Sequence, residues 1–148
     1  MDNQGIKVLL AKVGLDNQDK EIRLLARSLK NQGGIKVIYT GLYCTLEEIV
    51  QSALQEKVDL VGVSVHNGSH NEIFPRLRGL LDAKKASDIL VFGGGMIPEK
   101  HRQELKASGV VDEIFGPSTS ISIIVDWIYK QWLPRRKKGI LNLSSMVD

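Results

Sequence analysis

Short apolar stretches alternate with amphipathic stretches five times along this chain of 148 residues. Each apolar stretch is rich in β-branched residues and has almost no polar face, as expected for a strand buried on both sides of a parallel sheet. The predicted strands cover residues 6–11, 35–40, 58–64, 88–92 and 112–115. The strict alternation predicts one α/β domain with a doubly wound parallel sheet, and five strands favour the flavodoxin-like (Rossmann-like) order 2-1-3-4-5.

The intervening stretches carry apolar residues at three- to four-residue spacing, which is typical of a helix with one buried face. Thr45 and Glu48 form a capping box that predicts the start of the second helix, and Thr119 is the expected N-cap of the last helix. We expect Pro134 to end that last helix near residue 132. The other predicted helices cover residues 18–31, 70–85 and 98–109.

The predicted domain covers residues 1–133, and residues 134–148 are expected to form a basic, flexible tail. Residues 135–138 (Arg-Arg-Lys-Lys) account for much of the formal net charge of +3. Such a run could contact nucleic acid, but the rest of the chain has no basic stripe, and only 5% of residues are aromatic. We therefore expect a solvated tail and no nucleic-acid partner.

The expected location is the cytoplasm. No apolar run approaches the roughly 20 residues that a membrane helix needs, and the N-terminus lacks the pattern of a secretory signal. Cys44 is the single cysteine, so no intrachain disulfide can form, which fits a reducing compartment.

In a sheet of this kind, ligands bind outside the carboxyl ends of the strands. That rim is predicted from residues 14–21, 41–45, 64–70, 93–97 and 116–119. In the first of these segments, Asp16, Gln18 and Glu21 place two carboxylates and an amide at a strand-to-helix turn. Asp16 has two open interpretations, a ligand-site residue or a simple helix N-cap.

The third rim segment holds two histidines four residues apart, His66 and His70, which raises the possibility of a metal site. No Cys or Glu cluster joins them, and His101 belongs to another segment, so hydrogen bonding is the simpler interpretation. Ser64 stands where a response-regulator receiver needs a phosphoacceptor aspartate.

The fourth rim segment opens with Gly93, Gly94 and Gly95. Three residues without a Cβ let a flat group lie against the backbone, although a loose turn is the alternative. The triplet is not G-x-G-x-x-G and follows the fourth strand, which disfavours a nicotinamide dinucleotide site. The chain also has no phosphate-binding P-loop and no G-x-S-x-G elbow.

From about Lys7 to Trp132 the sequence resembles the cobalamin-binding domain of methylmalonyl-CoA mutase and its relatives. Those proteins carry D-x-H-x-x-G after the first strand, S-x-L after the third and G-G after the fourth. Asp16, Ser64 and the glycine triplet match these motifs. The resemblance also extends over residues 7–16, 37–42 and 113–117.

The resemblance implies that cobalamin binds with its benzimidazole tail detached from cobalt and lying in a slot between sheet and helices. In the family the motif histidine ligates cobalt and the motif aspartate orients it. The residues implied in cofactor binding here are Asp16, Gln18, Ser64, His66, Gly93, Gly94, Gly95 and Gly116.

Three positions depart from the family pattern. Gln18 replaces the cobalt-ligating histidine, Glu21 replaces the motif glycine, and His66 replaces the leucine of S-x-L. A glutamine amide has no basic nitrogen, so no metal ligand is predicted, and His66 is left as a candidate for cobalt.

The resemblance implies a cobalamin-binding subunit or carrier, with adenosylcobalamin as the cofactor, in a mutase-like system that rearranges acyl-CoA carbon skeletons. The domain would have no catalytic residue of its own. It would work with a separate substrate-binding barrel subunit, and it could also form a homo-oligomer. Two alternatives stay open: a domain that has lost cobalamin and serves a structural or regulatory role with a partner, and a flavin carrier on the same fold.

Overall fold

A computed structural model describes the backbone of residues 5–147 and the side chains of residues 5–134. Five strands alternate with five helices in this range. The elements are β1 (Lys7–Ala11), α1 (Lys20–Gly33), β2 (Lys36–Tyr39), α2 (Leu46–Glu56), β3 (Leu60–Val65), α3 (His70–Ala83), β4 (Leu90–Gly95), α4 (Glu99–Ala107), β5 (Glu113–Ile114) and α5 (Ile121–Val147). None of these described helices is long and apolar enough to cross a membrane.

The five strands form one sheet in the order β2-β1-β3-β4-β5, and every pairing is parallel. This confirms the predicted flavodoxin-like fold. β1 lies between β2 and β3, with Leu9 in register with Ile38 on one side and Val61 on the other. The chain therefore changes direction across the sheet at β1, and this switch point leaves room for a ligand above the strand ends.

Apolar residues cover both faces of the sheet, which explains why the strands have almost no polar face. On β1, Leu9 packs into the cluster formed with α2 and α3, whereas Leu10 packs into the opposite cluster with α1 and α5. Successive strand residues point to opposite faces, so each face needs its own apolar set.

The ends of the first two helices follow from local chemistry. Gly34 caps α1 in the left-handed conformation, and Thr45 and Glu48 form the predicted capping box at α2. α1 begins at Lys20 rather than at residue 18. Asp19 is the N-cap, and its carboxylate accepts from the Tyr39 hydroxyl at 3.0 Å and lies 3.4 Å from Arg23 Nε in the helix.

The strand β4 extends through Gly95, beyond the predicted end at residue 92. Gly93, Gly94 and Gly95 all pair with β3, so the alternative of a loose turn is wrong. Parallel pairing requires only backbone groups, and these glycines supply them as well as any other residue.

The last helix differs from the prediction at both ends. It begins at Ile121, and the Ser120 hydroxyl accepts from the Ile123 N–H at 3.4 Å, whereas the Thr119 hydroxyl donates to the Gly116 carbonyl. α5 continues past Pro134 to Val147, so the predicted end near residue 132 is wrong. A proline removes one helical hydrogen bond and can bend a helix without ending it. The flexibility expected of residues 134–148 stays a prediction.

Candidate functional site

A cavity of about 390 Å³ opens at the carboxyl edge of the sheet, between β3, β4, α1 and α5. Ser64, Gly94 and Gly116 are among its lining residues, and most of its wall is apolar. The apolar lining includes Ile22, Leu25, Phe92, Phe115 and Ile124. Five residues proposed from the sequence therefore meet at one cavity, namely Ser64, Gly93, Gly94, Gly95 and Gly116.

The three consecutive glycines differ in what a Cβ at each position would meet. A Cβ on Gly93 would overlap the ring of Phe74 in α3. Gly95 has a φ of +104°, and a Cβ there would overlap the backbone of Val65. At Gly94 the nearest heavy atom to a Cβ would be the Phe115 carbonyl oxygen at 3.8 Å, so the structure leaves free space there.

Of the three glycines, only Gly94 has open space where a Cβ would lie. Gly93 faces α3, and because strand residues alternate between faces, Gly94 faces the α1 and α5 side, where the cavity lies. The packing of the protein itself explains why residues 93 and 95 are glycine, and the role of the whole triplet in cofactor binding stays a prediction.

Asp16 is a buried anchor at the rim, with an exposed fraction of 4%. Its Oδ2 accepts from the His66 backbone N–H at 2.7 Å and lies 3.0 Å from the Lys12 ammonium. Burial raises the pKa of Asp16, but the His66 N–H and the Lys12 ammonium outweigh burial and hold that pKa below its usual value. Because α1 begins at Lys20, the alternative that Asp16 is the N-cap of this helix is wrong.

Lys12 is a site residue that the sequence analysis missed. Its side chain is fully buried, and its three N–H groups have three acceptors. These are the Ser64 carbonyl at 2.8 Å, Asp16 Oδ2 at 3.0 Å and His66 Nδ1 at 3.2 Å. A lysine directly after the apolar run at residues 8–11 was the available signal, since a charge at that depth must be paired.

The Lys12 contact determines which nitrogen of His66 carries the proton. An ammonium can only donate, so Nδ1 of His66 accepts and Nε2 bears the hydrogen. That Nε2–H donates to Glu21 Oε1 at 2.8 Å. Both ring nitrogens are thus engaged, and the His66 side chain is 8% exposed.

Gln18 lies on the exposed loop before α1 and does not line the cavity. Its backbone N–H donates to Asp16 Oδ1 at a long 3.4 Å. The structure thus joins Asp16, Ser64 and His66 through Lys12 and leaves Gln18 outside that network.

His70 pairs with His101 rather than with His66. His70 Nε2 lies 2.8 Å from His101 Nδ1, between α3 and α4, and the buried Nδ1 of His70 has no hydrogen-bond partner. Burial first, and then the neighbouring His101, lower the pKa of His70. Among the described residues, no group of three His, Cys, Asp or Glu side chains is placed to hold a metal ion.

A sequence profile of the B12 binding domain matches residues 6–125. The chain belongs to the B12-binding domain family. This B12-binding domain is 41% identical to the 2-hydroxyisobutanoyl-CoA mutase small subunit of Aquincola tertiaricarbonis, over 86% of the chain and 93% of that protein. It is 34% identical to the pivalyl-CoA mutase small subunit of Xanthobacter autotrophicus, over 83% of the chain and 81% of that protein.

The same domain occurs inside longer mutases. The methylmalonyl-CoA mutase large subunit of Propionibacterium freudenreichii is 38% identical over 78% of the chain, which corresponds to 16% of that subunit. Among solved structures, a cobalamin-binding protein from Desulfitobacterium hafniense superposes with a TM-score of 0.72 at 21% identity, covering 86% of this chain and 60% of that one. At this level of identity, that similarity supports the fold alone.

Proposed function

We propose that this chain is the cobalamin-binding subunit of an acyl-CoA mutase and that a separate, larger subunit binds the substrate. The observation that carries the proposal is the cavity of about 390 Å³ at the carboxyl edge, kept open by Gly94. Two relatives named above, of which the chain covers 93% and 81%, are small subunits of acyl-CoA mutases.

The residues that line the cavity fit the nucleotide tail of cobalamin. Ser64 offers a hydroxyl, Gly94 lets a flat group approach the backbone, and Phe92 and Phe115 form an apolar wall. A concave, mostly apolar site with a few polar groups is typical of cofactor binding. When bound, adenosylcobalamin supplies the radical chemistry of carbon-skeleton rearrangement, and the protein binds and orients it.

The site fits the tail better than it fits the cobalt atom. Gln18 has no basic nitrogen, and both nitrogens of His66 are engaged by Lys12 and Glu21. We therefore propose that no side chain of this chain would ligate cobalt.

We assign no catalytic residue to this chain. Lys12 and Asp16 hold the rim loops in place, and the rim meets either the larger subunit or a second copy of this chain. We also place the protein in the cytoplasm, where Cys44 stays reduced.

A second candidate function has one specific observation in its favour. The contact between Glu21 and His66 joins α1 to the end of β3, so the rim is held together without any cofactor. A domain that had lost cobalamin and served as a structural or regulatory partner would need such a contact to hold the rim together in place of the cofactor.

Retention of cobalamin separates the two candidates. The purified chain is mixed with hydroxocobalamin or adenosylcobalamin, desalted, and examined by absorbance, with and without the large subunit of an acyl-CoA mutase from the same host. Retained cobalamin, with mutase activity in the reconstituted mixture, supports the cofactor subunit. No retained cobalamin in any mixture, but a stable complex with the large subunit, favours the structural role.

A further inference from the structure

The contact between Glu21 and His66 lies at the mouth of the cavity. Glu21 is in the first turn of α1 and lines the cavity, and His66 directly follows β3, whose Ser64 also lines it. The 2.8 Å hydrogen bond therefore joins a lining residue, Glu21, to the residue that follows β3, although His66 itself does not line the cavity.

The His66 side of this contact is suited to an anion. Lys12 donates to Nδ1, which leaves Nε2–H as a hydrogen-bond donor directed at the rim. Behind the ring lies the fully buried ammonium of Lys12, itself paired with Asp16. This buried pair is neutral overall, so its part is to keep Nδ1 as the acceptor, and the Nε2–H can then donate to a carboxylate or a phosphate alike.

In this structure the Glu21 carboxylate accepts the hydrogen bond from the Nε2–H of His66. Its side chain is 73% exposed, whereas the His66 side chain is 8% exposed. The carboxylate is therefore the mobile partner, and it can swing into solvent while His66 stays in place. An anionic group that entered the cavity mouth would have to displace Glu21 and would still lie close to its negative charge.

We propose that Glu21 is a specificity residue that competes with the phosphodiester of the cobalamin tail for the Nε2–H of His66. The inference rests on the proposed function, because it concerns the same cavity. Neutral parts of the tail enter the cavity unopposed, whereas the phosphate meets a carboxylate at the entrance. Two like charges about 4 Å apart in a water-like medium repel by roughly 1 kcal/mol, which corresponds to about a fivefold change in affinity.

The test uses two fragments of the tail, the benzimidazole riboside and the same riboside with its phosphate. Their affinities are measured by calorimetric titration for the wild type, Glu21→Gln and Glu104→Gln, at an ionic strength of about 0.01 M. Glutamine keeps the size of Glu21 and removes its charge. Glu104 is an exposed glutamate on α4 that does not line the cavity, so Glu104→Gln is the matched control.

We expect the wild type and Glu104→Gln to bind the phosphate-free riboside about fivefold more tightly than its phosphate, and Glu21→Gln to bind both within about twofold. Adding His66→Phe to Glu21→Gln should weaken binding of the phosphate alone, because the N–H donor is lost.

An unchanged preference in Glu21→Gln overturns the inference and leaves the proposed function standing, since the cavity still takes the tail. If no variant binds either fragment, the cavity is not a tail site, and the inference and the cavity role fall together.

Discussion

The backbone N–H of His66 donates to the buried carboxylate of Asp16 at 2.7 Å, and this bond ties the loop after β3 to the loop after β1. The same carboxylate lies 3.0 Å from the fully buried ammonium of Lys12. The rim of this B12-binding domain is therefore built on a buried ion pair, before any cofactor is considered.

Asp16→Asn should destabilise the protein strongly, because it leaves the Lys12 charge buried without a counter-charge. Removing one partner of a buried ion pair typically costs about 3–5 kcal/mol of unfolding free energy. Urea denaturation measures the change. Asp126→Asn is the control, since its pair with Lys130 is exposed and should be worth less than about 1 kcal/mol. A loss below about 1 kcal/mol in Asp16→Asn would contradict this prediction, because it would mean that the buried charge of Lys12 does not depend on Asp16.

Gly94→Leu should abolish retention of cobalamin and leave the fold intact. The new side chain would occupy the cavity, while its Cβ would meet no protein atom closer than 3.8 Å. Absorbance after desalting and thermal unfolding measure the two effects. Gly79→Leu, at an exposed glycine of α3 with nothing near its Cβ, should keep retention. Normal retention by Gly94→Leu would show that the tail does not use this cavity.

Gly93→Ala should have a different effect, a loss of stability. Its Cβ would overlap the ring of Phe74, which is fully buried. Overpacking of a close-packed core costs about 1–3 kcal/mol. Denaturant unfolding should show this loss, and the companion variant Gly93→Ala with Phe74→Leu should recover part of it. Wild-type stability of Gly93→Ala would mean that Phe74 moves aside without cost.

Gln18→His should strengthen the retention of cobalamin and give it a protein ligand. Asp16 Oδ1 receives only the long 3.4 Å bond from the backbone N–H of residue 18, so it can orient a new imidazole. We expect at least about a tenfold gain in affinity, and Asn17→His, on the adjacent exposed residue, should gain none.

Electron paramagnetic resonance of the Co(II) form, with nitrogen-15 histidine labelling, identifies the ligand in that experiment. Splitting from a protein nitrogen should appear in Gln18→His and be absent from the unmutated chain. Its presence in the unmutated chain would make His66 the cobalt ligand and contradict the engagement of both its nitrogens.

His70 should make stability depend on pH. Because the folded-state pKa of His70 lies below the usual 6.5, the unfolded chain takes up a proton at a higher pH than the folded chain does. Its contribution to stability is therefore present above 6.5 and is lost as pH falls, with a slope of at most about 1.4 kcal/mol per pH unit.

Urea unfolding at about pH 7.5 and about pH 5.5 checks this dependence. The loss of stability on acidification should shrink in His70→Gln, which cannot take up a proton. Asn71→Gln, an exposed neighbour in α3, should keep the wild-type difference. An equal loss in His70→Gln and the wild type would assign the effect to other groups.

Much of the fold could be predicted from the sequence because its signals are local. The five apolar stretches gave the strand order through the rules of parallel sheets, and the capping box at Thr45 and Glu48 was visible from their spacing. The end of α5 could not be predicted in the same way, because Pro134 weakens a helix without deciding whether it continues.

The candidate site was predicted only in part. Ser64, Gly94 and Gly116 do line one cavity, but Lys12 was missed. The sequence also did not show why residue 93 is a glycine, because that depends on where the ring of Phe74 lies. The motif positions showed which residue types are present, but they did not show what those residues contact.

The sequence by itself determined the α/β fold, the membership of the B12-binding family and the absence of an imidazole at position 18. Only the tertiary structure decided that His66 is held between Lys12 and Glu21, residues 54 and 45 positions away along the chain. The physical reason is that helix and strand periods are set by neighbours in sequence, whereas the loops of a parallel sheet meet only after their strands have paired.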